Sequence, residues 1–177
     1  MADTQRTSAA ILAILADNAT GDISAQDMRD TFVTTSPDHA ELYVSTAAAT
    51  TVSVKDTWYP ISGTWTLSAG AKNFTESVNG QLLFGGDATR HFLISSAVSM
   101  SGGNGDTLEF GIGIDGTIWT PSIIRRKLGS VDVGAAAVSA LVSLAAGSYV
   151  VLMGRNTSNT TNFTVNLSNL SVMGMVA

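Results

Sequence analysis

From Glu41 onward, apolar residues recur at every second position, which is the period of a β-strand. The clearest example is LEFGIGID, in which Leu108, Phe110, Ile112 and Ile114 share one face and glycine or acidic residues share the other. The segment HFLISSAVSM before it repeats the pattern. A chain that alternates in this way over most of its length has to bury one face of each strand, which favours two packed sheets.

Turn signals separate these strands. Asp115-Gly116 predicts a type I′ hairpin leading into TIW, and Asn79-Gly80 predicts a hairpin of the same type between NFTESV and QLLF. The segment SGGNGD predicts the turn between HFLISSAVSM and LEFGIGID. About eight to ten short strands without an internal repeat predict a mainly β protein, an antiparallel jelly-roll β-sandwich.

Two late strands depart from simple alternation. In SYVVLMGRN, Tyr149, Val151 and Met153 alternate with residues that are also apolar, so we expect the outer face of this strand to meet another subunit or another sheet. In the closing strand, Phe163, Val165 and Leu167 are in phase, whereas the later apolar residues are out of phase. A β-bulge near Ser168 or Asn169 would restore the register.

A helical segment precedes the strands. In GDISAQDMRD, Ser24 and Asp27 have the spacing of a reciprocal N-terminal cap, and Ile23 and Met28 have the spacing of a hydrophobic staple. Phe32 shares a face with Met28, and Pro37 follows the predicted helix end. An earlier segment, TSAAILAILADN, predicts a second short helix with an apolar stripe formed by Ile11, Leu12, Ile14 and Leu15. We therefore expect a helical arm over residues 1–37 and a sandwich over residues 38–177.

Charge is unevenly distributed. The net charge of the 177 residues is −5, and residues 1–40, with six acidic and two basic residues, contribute −4 of it. The one basic run, Arg125 to Lys127, is better explained by a solvated strand end or an interfacial salt bridge than by phosphate binding, so no nucleic-acid partner is expected. There are no cysteines, and AAILAILA is too short to span a membrane.

Groups that could carry catalysis are scarce. His39 and His91 are far apart and belong to no metal-binding spacing, so both are expected at the surface without a ligand. We therefore predict no enzyme activity, no catalytic residues, no cofactor and no metal. Tryptophans in such a sandwich usually fill the core, and Trp58 and Trp119 are the candidates for ligand binding.

The strings RHFLISSAVSMSGGNGDTLEFGIGIDGTIW and LVSLAAGSYVVLMGRNTSNTTNFTVNLSNLSVMG resemble the trimeric jelly-roll modules of tailed bacteriophages, which are similar in plan to tumour-necrosis-factor and complement globular heads. The resemblance covers about residues 65–174. The segment LADNATGDISAQDMRDTFVT resembles the helical leaders found before phage appendage domains.

This resemblance implies a homotrimer that binds the major capsid protein or another virion protein, and hence a capsid decoration (cement) protein on the virion surface. It implies a threefold contact through Tyr149, Val151 and Met153. The capsid-binding arm would use its apolar residues, namely Ile11, Leu12, Ile14, Leu15, Ile23, Met28 and Phe32. One alternative is a fibre tip that binds a host receptor, glycan or protein; another is a jelly-roll enzyme or lectin unrelated to virions.

Overall fold

A computed structural model describes residues 8–16, 24–35, 37–129 and 133–175. The chain divides into two units, Met1–Pro37 and Asp38–Ala177. The first is helical and the second consists of β-strands, and each is described by itself below.

The first unit contains helices α1 (Ser8–Ala16) and α2 (Ala25–Thr35). The predicted cap of α2 is confirmed: the Asp27 amide donates to Ser24 Oγ at 3.1 Å, and the Ser24 amide donates to Asp27 Oδ2 at 3.0 Å. Ile11 is buried, whereas Leu12 and Met28 are exposed. Ile23 and the side chains of Ile14, Leu15 and Phe32 lie outside the described residues, so the staple and part of the apolar stripe stay predictions.

The second unit contains thirteen strands among its described residues. They are β1 (His39–Ala47), β2 (Ala49–Thr50), β3 (Tyr59–Pro60), β4 (Gly63–Leu67), β5 (Phe74–Glu76), β6 (Gln81–Phe84), β7 (Arg90–Ser101), β8 (Thr107–Ile114), β9 (Thr117–Ile118), β10 (Ile124–Lys127), β11 (Gly134–Leu144), β12 (Tyr149–Asn156) and β13 (Phe163–Gly174). A short 3₁₀ helix, Thr120–Ser122, lies between β9 and β10.

The strands form two sheets, and every pairing is antiparallel. Sheet I has the order β11-β7-β13-β1-β4, with β2 beside β13, and sheet II has the order β10-β8-β12-β6-β5, with β3 beside β12 and β9 beside β8. Consecutive long strands change sheet: β7 is followed by β8, and β11 by β12. The predicted antiparallel jelly-roll sandwich is therefore confirmed.

The core lies between the inner faces of the sheets. Phe84 and Phe92 meet edge to face, with ring centroids 4.9 Å apart, and Phe74 packs beside both. A second aromatic pair, Phe110 and Phe163, bridges the sheets with centroids 5.7 Å apart. Rings that interlock in this geometry contribute more than their buried area alone.

The two predicted hairpin turns differ. Asp115 and Gly116 both have positive φ, 50° and 78°, so the type I′ turn is confirmed. At Asn79-Gly80 only the glycine has positive φ, and the Gln81 amide donates to the Val78 carbonyl at 2.8 Å, so the type I′ prediction there is wrong. Tertiary contacts explain the difference, because the Asn79 side chain accepts from the Trp65 amide and donates to the Gly63 carbonyl.

The predicted bulge in β13 exists, but two residues earlier than expected. The register against β7 shifts between Val165 and Leu167. Leu167 consequently points outward and is exposed, whereas Ser168 points inward and lies 3.1 Å from Ser96, hydroxyl to hydroxyl. The two buried hydroxyls hydrogen-bond to each other, so a polar side chain can occupy this inward position.

Candidate functional site

The outer face of sheet I, defined by the outward-pointing residues of β11, β7, β13 and β1, is unusually apolar. Strand register places these residues in rows that cross the sheet. One row runs from Leu141 through Leu93 and Met173 to His39, and a later row from Ala137 through Ala97 and Asn169 to Tyr43. Large apolar side chains on this face are 42% to 68% exposed: Tyr43, Leu93, Leu141, Leu167, Met173 and the adjoining Met175.

Between these rows lies a third that is polar. It runs from Ser139 through Ser95 and Ser171 to Glu41. Of the outward residues in these four described strands, Glu41 is the one acid, and none is a lysine or arginine. A sheet face with so little charge has a low cost of desolvation when it is covered.

A groove crosses the middle of this face. It has a volume of about 500 Å³ and is lined by Tyr43, Ala97, Ser99, Ala135, Leu167 and Asn169. Most of these lining residues are small, and the large ones are Tyr43 and Leu167, both exposed. Asn169 is held in place by the Ala97 amide, which donates to its Oδ1 at 3.2 Å. The groove is thus a preformed depression that a side chain from another surface can enter.

Two of the three β12 residues predicted to form the threefold contact are buried within a single chain. Val151 and Met153 are 2% and 5% exposed within a single chain, and Tyr149 is half-buried. The Met153 side chain leans over Gly113, where a Cβ would lie 2.5 Å from its sulfur. Because Val151 and Met153 have almost no surface left, a second copy has little to bury there. The outer face of sheet I is therefore a better candidate for the subunit contact than β12.

The 3₁₀ helix and its flanks explain part of this burial. Ile118 and Ser122 cover Gly111, the β8 neighbour of Met153. Ser122 is itself buried: its hydroxyl accepts from the Ile112 amide at 2.8 Å and donates to the Trp119 carbonyl at 2.7 Å. Next to Met153, the outer face of sheet II is thus covered by Ile118 and Ser122 of the same chain, which is neither the other subunit nor the other sheet that the sequence pattern indicated.

The outer face of sheet II carries an ion cluster around Glu109. Its carboxylate accepts from Arg125 Nε and from Arg155 Nε, each at 2.7 Å, and the side chain is 3% exposed. Burial raises the pKa of Glu109, but the two arginines together outweigh this effect, so the pKa lies below its ordinary value. Arg155 also stacks over Trp58, 4.7 Å from the ring centroid. Trp58 is thereby engaged within the chain.

The remaining candidate ligand residue is more accessible. Trp119 is 41% exposed and follows the Asp115-Gly116 hairpin. His39 and His91 are both exposed, and both lie on the outer face of sheet I. Within residues 8–16, 24–35, 37–129 and 133–175, no group of three or more metal-binding side chains occurs. No described helix has the length and hydropathy needed to cross a bilayer.

The sequence does contain a signal for the outer face of sheet I. In β7 the outward residues are His91, Leu93, Ser95, Ala97 and Ser99, which include no lysine, arginine or acid. The outward residues of β11 are alanine, serine and leucine. Outer positions of a solvated sheet usually carry charge, so this depletion marks a covered face.

Comparison with known proteins supports the fold. No family model and no curated protein matches the chain. The sandwich is similar to the structure of Eiger TNF from S. frugiperda, with a TM-score of 0.51, 12% identity, and coverage of 79% of this chain and 93% of that one. Murine APRIL (TM-score 0.46, 12% identity, coverage 78% and 100%) and rabbit GITRL (TM-score 0.43, 11% identity, coverage 78% and 96%) are further matches. The similarity to Eiger TNF supports a TNF-like jelly-roll fold.

Proposed function

We propose that this protein is a structural component of a bacteriophage virion, a homotrimer that decorates the head shell and stabilises it. The sandwich would form the trimer, and the helical arm would bind the major capsid protein or another virion protein. Binding only to the assembled shell stabilises that state by mass action.

The main support for the proposed trimer is the outer face of sheet I. Its exposed leucines, methionines and tyrosine lie on both sides of the polar row, and the outward residues of the four strands include no lysine or arginine. Patches of this kind mark contacts between proteins, and copies of one chain associate mostly with closed symmetry. The TNF-like fold supports the same arrangement, because the phage modules that the sequence resembles are trimers of this plan.

The arm is supported by its own chemistry. Helix α2 has a complete reciprocal cap, so its start is specified locally. Leu12 on α1 and Met28 on α2 are exposed, and short helices of this length need a packing partner. Residues 1–37, with five acidic and two basic residues, also carry −3 of the net charge of −5, which distinguishes the arm from the much longer sandwich.

Receptor binding at a fibre tip is the second candidate, and Trp119 is the observation that favours it. An indole that is 41% exposed beside a hairpin turn provides a platform for a sugar ring or a protein side chain. Trp119→Ala would separate the two functions, because decoration predicts unchanged capsid binding by this variant. Receptor binding predicts loss of attachment to host cells.

The direct test of decoration is sedimentation of the purified protein with undecorated capsids of the phage that encodes it. We expect saturable binding by the full chain, and loss of binding by the double variant Leu12→Asp/Met28→Asp. Both side chains are exposed, so we expect the helices to form in this variant, and circular dichroism checks this. Val78→Asp, an equally exposed apolar position in the sandwich, is the control. Equal capsid binding by all three proteins would contradict the role of the arm.

A further inference from the structure

Both histidines of the chain lie on the same end of the outer face of sheet I. His39 is paired in register with Met173, and Met173 with Leu93. His91 is two residues from Leu93 on the same strand face, and the Met175 amide donates to the His91 carbonyl at 2.9 Å. The two imidazoles therefore lie at or beside the apolar row formed by Leu141, Leu93 and Met173.

Polar groups lie next to both imidazoles. On β11, Ser143 Oγ lies 2.9 Å from His91 Nδ1, and on β1 Glu41 is the next outward residue after His39. Lys72 pairs with His39 through backbone hydrogen bonds in both directions.

Two further acids at this end are paired with an arginine. Arg90, next to His91, forms ion pairs of 3.2 Å with the buried Asp38 and with Asp87. Burial lowers the pKa of Lys72, while Asp38 opposes this shift and Arg90 adds to it. The titratable and charged groups around the two imidazoles are thus Asp38, Glu41, Lys72, Asp87 and Arg90. Glu41 is the one acid among the described outward residues of the face, and its Oε1 accepts from Asn169 Nδ2 at 3.4 Å. Two imidazolium charges in each chain would therefore exceed the one carboxylate on the face.

We propose that association through this face is controlled by pH, with the trimer formed at neutral pH and dissociated by protonation of His39 and His91 on acidification. The inference rests on the proposed function, because it needs copies of the chain to meet on this face. Histidine is the side chain that changes charge within this range. In a trimer, six imidazoles would lie at or beside apolar contacts.

The direction follows from proton linkage. A desolvated apolar contact disfavours the imidazolium, so the trimer binds fewer protons than three separate chains. Acidification therefore favours the separate chains. Each histidine that titrates weakens the trimer association constant by up to about tenfold for each pH unit below its midpoint. Several histidines acting together give a steep transition.

The test is the mass of the full chain by light scattering at about pH 7.5 and about pH 5.5, at one protein concentration and ionic strength. The double variant His39→Gln/His91→Gln keeps polar side chains of similar size but cannot take up a proton. We expect a trimer at the higher pH for both proteins. At the lower pH we expect monomers for the wild type and a trimer for the variant. Circular dichroism at both pH values verifies that each chain stays folded.

The outcomes separate the two proposals. A wild-type chain that is monomeric at pH 7.5 would contradict the proposed trimer itself. A trimer that persists at pH 5.5 would overturn the pH control and leave the trimer standing. Dissociation of the variant together with the wild type would also overturn the inference, because a group other than these histidines would then control assembly.

Discussion

Arg155 donates from Nε to the buried carboxylate of Glu109 at 2.7 Å, and its guanidinium stacks on Trp58. The carboxylate is shared with Arg125, whose side chain is 68% exposed. One buried acid thus holds two arginines from the two strands that flank β8. This cluster lets a charged residue occupy a covered sheet face.

Glu109→Gln should destabilise the sandwich by about 3 kcal/mol at pH 7, because it leaves a partly buried arginine without its counter-charge. The folded pKa of Glu109 is below its unfolded value. The contribution of ionised Glu109 to the free energy of unfolding is therefore complete above the unfolded pKa, about 4.3. It is lost as pH falls through the folded pKa. Urea unfolding of both proteins at about pH 7 and about pH 3 measures the difference. A stability gap that does not narrow on acidification would contradict this account.

Gly80→Ala should destabilise the protein more than Gly70→Ala. Both glycines have positive φ, 82° and 90°, so both substitutions carry a backbone cost of about 1 kcal/mol. At Gly80 the new Cβ would also lie 2.9 Å from Trp65 Nε1, whereas at Gly70 nothing lies within 4 Å. Thermal unfolding compares the two variants. Equal decreases in stability of the two variants would show that the Cβ at position 80 does not clash with Trp65.

Asn156→Leu should cost about 3 kcal/mol, which is typical of breaking a buried hydrogen-bond network. The Asn156 side chain is fully buried, donates to Asp106 and to the Thr161 carbonyl, and accepts from the Ser158 amide. Leucine preserves the volume and removes every one of these bonds. Denaturant unfolding measures the loss, with Asn166→Leu as a partly exposed control on the next strand. If Asn156→Leu lowers the free energy of unfolding no more than the control does, the hydrogen bonds of Asn156 do not stabilise the fold as proposed.

Local features of the fold could be predicted because their causes are local. The alternation in β7, the cap at Ser24 and the Asp115-Gly116 turn all depend on residues within a few positions of one another. The Asn79-Gly80 turn could not be predicted in the same way. Its geometry is set by hydrogen bonds from Asn79 to residues 14 and 16 positions away.

The interface prediction depended on contacts that the sequence does not reveal. Tyr149, Val151 and Met153 have the pattern of a subunit contact, but Val151 and Met153 are buried within one chain. The burial near β12 involves Ile118 and Ser122, whose position depends on the path of the chain after β9. The charge depletion of β7 was visible in the sequence, but only the register with β11 and β13 shows that its outward leucine and alanine belong to apolar rows that cross the sheet.

We expect copies of this chain to associate in threes through the outer face of sheet I. The measurement that tests it most directly is the light-scattering mass of the full chain at neutral pH, beside Leu141→Glu and Val78→Glu, two apolar positions of similar exposure. A charge at Leu141 would be desolvated in the contact, at a cost of several kcal/mol, and one at Val78 would stay in water. We predict three times the 18.3 kDa of one chain for the wild type and Val78→Glu, and 18.3 kDa for Leu141→Glu. A monomeric wild type, or a Leu141→Glu variant that remains a trimer, would contradict the account.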